Sequence, residues 1–278
     1  EALLGRYADP RLRVLRRPSN RGVAASRNWG MREANGSLIA FLDSDDEWFP
    51  QKLAHQVARF SALPESVGLV YCAVETVDSE GNLRTRLPAP HSGYVQSQLL
   101  LNNFIVGGSC AMIRRSVLAT AGYFDEILPA IEDYDFWLRI ARFYAFDYLV
   151  EPLVRYFDPV RGEPQRDAER RSRDFVANFR ARHAFYERNR HEMERAGLEH
   201  LFLLESAKRH LKWPFGDQTE GRQLALQVAT KYPMSRELYP WLAFALLPPR
   251  TRTSVARGVR YLRDLAGVRR PTLTGNMG

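Results

Sequence analysis

The chain has 278 residues, 45% hydrophobic and 12% aromatic, with a formal net charge of +8. That apolar content is ample for a packed core, so disorder is excluded as the default, and the length allows one large domain or a domain with an appendage. Residues 1–160 hold 17 basic against 19 acidic residues and residues 161–278 hold 23 against 13, so all of the excess positive charge lies in the C-terminal part.

"EALLGRY" sets Leu3, Leu4 and Tyr7 at helical spacing, an "ADP" turn follows, and "RLRVLRR" alternates like a strand. Opening inside a helix without Met is expected of a fragment lacking upstream residues; a native start with a short helix is the alternative. "NRGVAASRNWGMREANG" predicts a helix capped by Asn20, with Val23, Ala24, Trp29 and Met31 as apolar contacts and Gly36 at its end. "SLIAFL" is a continuous apolar run, as in a strand covered on both faces. "FPQKLAHQVARFSAL" predicts a helix with Pro50 near its first turn and Leu53, Val57 and Phe60 on one stripe. "VGLVYCAVETVD" follows as a strand and "DSEGN" as a turn.

This alternation points to an α/β domain with a largely parallel sheet, in which ligands gather at the carboxyl edge of the strands. After a looser stretch around "LPAPHSGY", "FIVGGSCAMIRR" reads as another strand. "IEDYDFWLRIARF" reads as a helix with acids in its first turn, and "FDYLVEPLVRYF" as two short strands broken by Pro152. From "DPVRGEPQRD" the chain becomes Arg-rich and helical, which makes 158–166 a linker between a domain at 1–160 and a basic helical extension at 161–278.

Cys72 and Cys110 fall in apolar stretches and do not make a disulfide framework, so a reducing cytoplasm is expected. No apolar run approaches the ~20 residues that span a bilayer. The protein is expected to be soluble or, at most, peripheral at the inner face of the membrane. The six histidines show no H-x-x-H or H-E-x-x-H spacing, and no phosphate-loop motif is present, which argues against a zinc site or a P-loop.

Two acidic clusters stand out. "FLDSDDEW" places Asp43, Asp45, Asp46 and Glu47 beside a buried strand, where adjacent carboxylates repel and need a counter-charge. A hard divalent cation, Mg²⁺ or Mn²⁺, supplies one, and is commonly held by one or two carboxylates plus substrate phosphates. An isolated D-x-D also serves as a helix cap with solvated acids. About ninety residues on, Glu132, Asp133 and Asp135 open a helix; there a carboxylate either complements the helix dipole or accepts a proton from a hydroxyl nucleophile.

In order and spacing, "NRGVAASRNWGMREANGSLIAFLDSDDEWFPQKL", "GGSCAMIRRSVLATAGYFDE" and "EDYDFWLRIAR" resemble the family 2 inverting glycosyltransferases of GT-A fold, over roughly residues 10–157. That family carries N-x-G-x-x-x-A-R-N, L-D-x-D-D, G-x-F-D-E and E-D-x-D-hydrophobic-W-x-R in this order; here Ser26 replaces the usual Ala. The resemblance implies a Rossmann-like, mostly parallel sheet flanked by helices, and an enzyme moving one sugar from a nucleotide-diphosphate sugar to a hydroxyl of a glycan or lipid-linked acceptor, with inversion. It implies donor contacts at Asp43, Asp45 and Arg27, a divalent metal on Asp45 and Asp46, and a catalytic base at Asp133. Gly107, Gly108 and Glu132 fall on the possible acceptor side, although the two glycines equally suit a turn, and Arg27 has the alternative of a surface helix arginine. The family's opening strand–helix–strand is not found in this sequence, as expected of a fragment lacking upstream residues. Q-x-x-R-W is missing as well, so a single transfer rather than polymer synthesis is implied.

"SVARGVRYLRDLAG" separates Val255, Val259, Leu262 and Ala266 from Arg257, Arg260 and Arg263, an amphipathic pattern suited either to anionic lipid or to ordinary packing. The rival reading is a non-catalytic basic helical module binding nucleic acid or membrane on a GT-A-like remnant. A nucleic-acid reader would set basic and aromatic residues at its cleft, and here the clusters are carboxylates, so no nucleic-acid partner is expected.

Overall fold

The computed structural model describes residues 9–78, 80–157, 175–212 and 216–233. The expected opening helix, the linker at 158–166 with the 160/161 boundary, and the amphipathic helix at 254–267 lie outside these residues. The chain divides into two compact units after Arg188.

In the first unit α1 (Gly22–Glu33) leads to β1 (Leu38–Ala40), β2 (Asp46–Trp48), α2 (Lys52–Ser61), β3 (Val67–Val77) and β4 (Leu83–Leu87). Then come α3 (Gln96–Leu101), a short 3-10 turn at Gly108–Cys110, β5 (Met112–Arg114), α4 (Leu118–Ala121), α5 (Glu132–Ala141) and β6 (Ala145–Phe157). Helix α6 (Phe175–Arg195) contains the point of division, and α7 (Glu199–Lys212) and α8 (Gln218–Lys231) lie in the second unit.

The six strands form one sheet in the order β1-β5-β3-β6-β2, with β4 on β3. The α/β class holds, whereas the expectation of a largely parallel sheet is corrected: β3 and β6 pair in parallel and the other pairings are antiparallel. The physical reason is the placement of β5. It is antiparallel to both β1 and β3, so β1, β3 and β6 do point the same way, as helical crossovers require, but a reversed strand separates β1 from β3.

Three local expectations also change. "RLRVLRR" forms no strand, and Leu12, Val14 and Leu15 are exposed, because alternation becomes a strand only where a neighbour supplies a hydrogen-bonding edge. In "FIVGGSCAMIRR" only the last residues are strand. The two strands expected around Pro152 are one: the pairing steps from Cys72 with Leu149 to Ala73 with Pro152, and the bulge turns Val150 and Glu151 outward where proline offers no N–H to the ladder. Asn20 is not the N-cap of α1, a position taken by Arg21 without a side-chain cap bond; Asn20 stands one residue earlier, and its Oδ1 accepts from Gly22 N at 2.9 Å.

The core of this unit is β3, nearly all of it buried. Phe60 from α2 packs with Val67, Val70, Met112 and Ala145. Gly68 lets Tyr144 and Val117 come close to β3: a Cβ there would lie 2.7 Å from Tyr144 Cβ and 2.8 Å from Val117 Cγ1. Two polar clamps then fix the "GYFDE" loop. The buried Asn28 donates to Phe124 O and Glu126 Oε1 and accepts from Phe124 N, each at 2.9 Å. Arg139 binds Ala121 O, Tyr123 O at 2.7 Å and Asp135 at 2.9 Å.

The second unit buries Phe202, Leu203, Leu204, Ala207, Ala225 and Val228, and Asp217 caps α8 by accepting from Thr219 N and Glu220 N. Lys231 bridges Glu194 and the buried Glu199 at 2.6 and 2.5 Å. No helix among the described residues is long and apolar enough to cross a membrane.

Asn28→Ala leaves the buried N–H and C=O of Phe124 unpaired, and each such group costs about 1–3 kcal/mol. A loss of about 2–4 kcal/mol is therefore expected in urea unfolding; a loss below about 1 kcal/mol would show that the loop does not depend on this clamp.

Candidate active site

The site is built around one helix residue. Arg27 projects from α1, its side chain only 12% exposed, with Nη2 donating to Asp43 at 2.5 Å and Nη1 to Glu132 at 3.1 Å. Its guanidinium also lies over the Phe124 ring, 5.4 Å from the centroid. The surface-arginine alternative is thereby excluded. Since guanidinium presents a fork of donors and accepts nothing, it suits two carboxylates arriving from different directions. Asp43 arrives from the end of the β1 segment and Glu132 from the first turn of α5, 16 and 105 residues away in sequence.

Each carboxylate is set by its backbone. Asp43 N donates to Ser109 Oγ at 3.0 Å, and Trp48 Nε1 donates to Ser109 O at 2.8 Å, so the buried Ser109 ties the acidic loop to the 3-10 turn. Gly108 lets that turn approach Arg27: a Cβ there would stand 3.3 Å from Nη2. Gly107, at φ 69°, takes the left-handed conformation that starts the turn. At the other cluster Ile131 has φ 55°, the one positive φ of a non-glycine among the described residues, immediately before Glu132 and Asp133. Such strain in a β-branched residue costs roughly 1–3 kcal/mol and persists only where its surroundings over-determine it.

The three members of the second acidic cluster separate by role. Asp135 is buried and bound by Arg139 at 2.9 Å and Arg188 at 3.2 Å; with Asp125, which also takes Arg188 at 2.9 Å, it is structural. Glu132 faces Arg27. Asp133 accepts from Tyr134 N at 2.7 Å, and burial together with the neighbouring Glu132 pushes its pKa up to about 6 against the pull of Arg27. Burial works against the charge of Arg27 as well, but Asp43, Asp133 and Glu132 outweigh it and hold the guanidinium pKa above its ordinary value.

A cavity of about 730 Å³ adjoins this network. Arg27, Asp43 and Asp45 line it beside Val23 and Met31 of α1, Leu42, and Tyr156 of β6. Tyr156, Ser109 and Asn28 are the residues that sequence reasoning missed; only Asn28 carried a signal, as the last residue of A-R-N. Asp46 sits in β2 opposite Tyr156, and Glu132, Asp133, Gly107 and Gly108 are not in the cavity lining. Asp45 and Asp46 offer hard carboxylate oxygens suited to Mg²⁺ or Mn²⁺. Among the described residues no three metal-ligating side chains converge, so the protein's share of such a site would be one or two carboxylates, with a substrate's phosphates completing it. Trp137 is fully buried with Phe41, Phe124 and Phe136, a core position rather than a stacking platform.

The family model for glycosyl transferase family 2 matches residues 1–122. This stretch is similar to glycosyl transferase family 2. An uncharacterized glycosyltransferase of Methanocaldococcus jannaschii is 31% identical over 155 residues, 55% of this chain and 53% of that protein. The Escherichia coli UDP-Glc:alpha-D-GlcNAc-diphosphoundecaprenol beta-1,3-glucosyltransferase is 28% identical over 138 residues, 49% of this chain and 51% of that one. The matched region thus spans about half the length of either relative. Among solved structures, S. aureus TarS is similar at a TM-score of 0.52 and 15% identity, over 82% of this chain and 68% of that one, a likeness of fold alone. The fold likeness shows a GT-A-like mixed α/β fold with C-terminal helices, and the family match is to residues 1–122 of the 278.

Folding raises the pKa of Asp133 above its unfolded value of 3.8, so the stability this group contributes is full below pH 3.8 and is lost as pH rises through about 6. Asp133→Asn is therefore expected to melt higher than the parent at pH 8 and close to it at pH 4. Melting curves across that range check it, and an advantage confined to acid would contradict the burial of an ionised Asp133.

Proposed function

We propose that the protein is a metal-dependent, inverting glycosyltransferase that moves one sugar from a nucleotide-diphosphate sugar to an acceptor hydroxyl. The observation that carries this reading is the convergence of Asp43 and Glu132 on the buried Arg27, which sets the base candidate Asp133 next to the donor carboxylates. The similarity of residues 1–122 to the family model supports it, and the adjoining cavity is of a size suited to a nucleotide sugar.

In the proposed reaction Asp43 and Asp45 hold the donor in the cavity, and Arg27 keeps Asp43 in place. Asp133 accepts the proton of the acceptor hydroxyl as its oxygen bonds to the anomeric carbon, while the bond from that carbon to the diphosphate oxygen breaks. One displacement inverts the configuration. A divalent ion on Asp45 and Asp46 would supply charge neutralisation for the departing diphosphate. With a pKa near 6, Asp133 is ionised at neutral pH yet more basic than an ordinary carboxylate, as a proton acceptor should be. Glu132, paired with Arg27, keeps the base from being drawn into an ion pair of its own.

A lipid-linked glycan is the acceptor class we favour, supported by the diphosphoundecaprenol acceptor in the name of the E. coli relative. Contact with the inner face of the membrane follows for such an acceptor. The rival basic-module reading has no observation in its favour among the described residues.

The full-length protein, screened with a panel of nucleotide sugars, is expected to turn over a donor with Mn²⁺ or Mg²⁺ and to lose that activity in EDTA. Asp45→Ala and Asp133→Ala should each cost about 100-fold or more, and kcat/KM should fall as pH drops through about 6. Full turnover in either variant would sink the mechanism, and a retained anomeric configuration by NMR would sink inversion.

A further inference from the structure

Lys52, the first residue of α2, is fully buried. Lysine is almost never so unless paired with a counter-charge, yet among the described residues no carboxylate forms an ion pair with it. Its Nζ donates to Gln56 Oε1 at 2.7 Å and stands 4.2 Å above the centre of the Trp48 ring. Burial draws its pKa down to about 8. The thiols that face it, Cys72 of β3 and Cys110 of the 3-10 turn, are themselves raised by burial, so they bring no negative charge at neutral pH. An apolar side chain would fill the same space without the cost of desolvating an ammonium.

What the ammonium does is decided by its donors. It has three hydrogens to give and no lone pair, so Gln56 must turn its carbonyl oxygen toward Lys52. The amide nitrogen of Gln56 then donates to Val70 O at 3.1 Å and Cys110 O at 2.9 Å. On the other side the cation over the indole face holds Trp48, whose Nε1 binds Ser109 O. Two consecutive carbonyls of the turn, those of Ser109 and Cys110, are thus gripped by two side chains that a single ammonium orients. The same turn offers Ser109 Oγ to Asp43 N and Gly108 to the guanidinium of Arg27.

We propose that Lys52 is a positioning residue for the donor carboxylates: through Trp48 and Gln56 it locks the Gly108–Cys110 turn on which Asp43 and Arg27 rest. The positioning of donor rests on the function proposed above, whereas the locking of the turn does not.

The test compares the full-length parent with Lys52→Met, which keeps the length and loses every donor, and with Trp48→Phe, which keeps a ring beneath the ammonium and loses the indole N–H. Both are expected to fold cooperatively, with amide hydrogen exchange at residues 107–110 and at Asp43 faster by tenfold or more and exchange in β3 unchanged. Under transfer conditions the KM for the nucleotide sugar should rise about tenfold while the KM for the acceptor stays level. Exchange at the turn that matches the parent in a folded variant overturns the proposal. If Lys52→Met does not fold, Trp48→Phe decides by the same measurement. Faster exchange in a protein that transfers no sugar from any donor would support the lock while removing the proposed function.

Discussion

A guanidinium buried among Asp43, Glu132 and Asp133 is the interaction on which the site depends. Carboxylates this close would repel in a low-dielectric setting, and without a cation each would protonate or turn to solvent. Arg27 is rigidly placed by α1, fully charged, and shaped to take two oxygens at once. It is therefore a standing countercharge that belongs to the chain itself. The balance is incomplete, since Asp133 still feels burial and Glu132 more strongly than Arg27 and keeps a raised pKa. That remainder of unfavourable energy makes Asp133 more basic than an ordinary carboxylate, as the proposed proton transfer requires.

The surrounding contacts act chiefly on the backbone. Asn28, adjacent to Arg27, holds Phe124 by both its N–H and its C=O, and Arg139 holds the carbonyls of Ala121 and Tyr123. Ser109 holds the Asp43 amide, and Trp48 and Gln56 hold the turn that carries Ser109. Loops make up much of this site, and loops have few apolar contacts to keep them still. Polar side chains anchored in helices and strands do that work by pairing backbone groups that burial would otherwise leave unsatisfied. Asp135, bound by Arg139 and Arg188, belongs to this scaffold and not to the chemistry.

Much of this was legible in residue patterns. The stripe of Leu53, Val57 and Phe60 marks α2, although Leu53 and Val57 prove exposed and the buried face runs instead through Lys52, Gln56 and Phe60. The continuous apolar run of β3 is buried nearly throughout because β4, β5 and β6 flank it and helices cover it. The reversed strand β5 left no such trace: three residues, Met112–Arg114, carry no periodicity that tells parallel from antiparallel. Likewise Pro152 reads as a break, and only the neighbouring β3 shows that the strand continues past it through a bulge.

The sequence by itself determined the identities and the order: an A-R-N-like helix, two acidic clusters about ninety residues apart, and helices and strands whose apolar periods follow from backbone geometry. Those features need only local physics, which is why they could be read in one dimension. Which acid does what was decided by the tertiary structure alone. Asp43, Glu132, Asp133 and Asp135 are the same chemistry in sequence, and they part only when folding gives the first two to Arg27, leaves Asp133 desolvated beside them, and surrounds Asp135 with two other arginines. Burial and charge neighbours set the character of a carboxylate, and both are properties of the assembled fold.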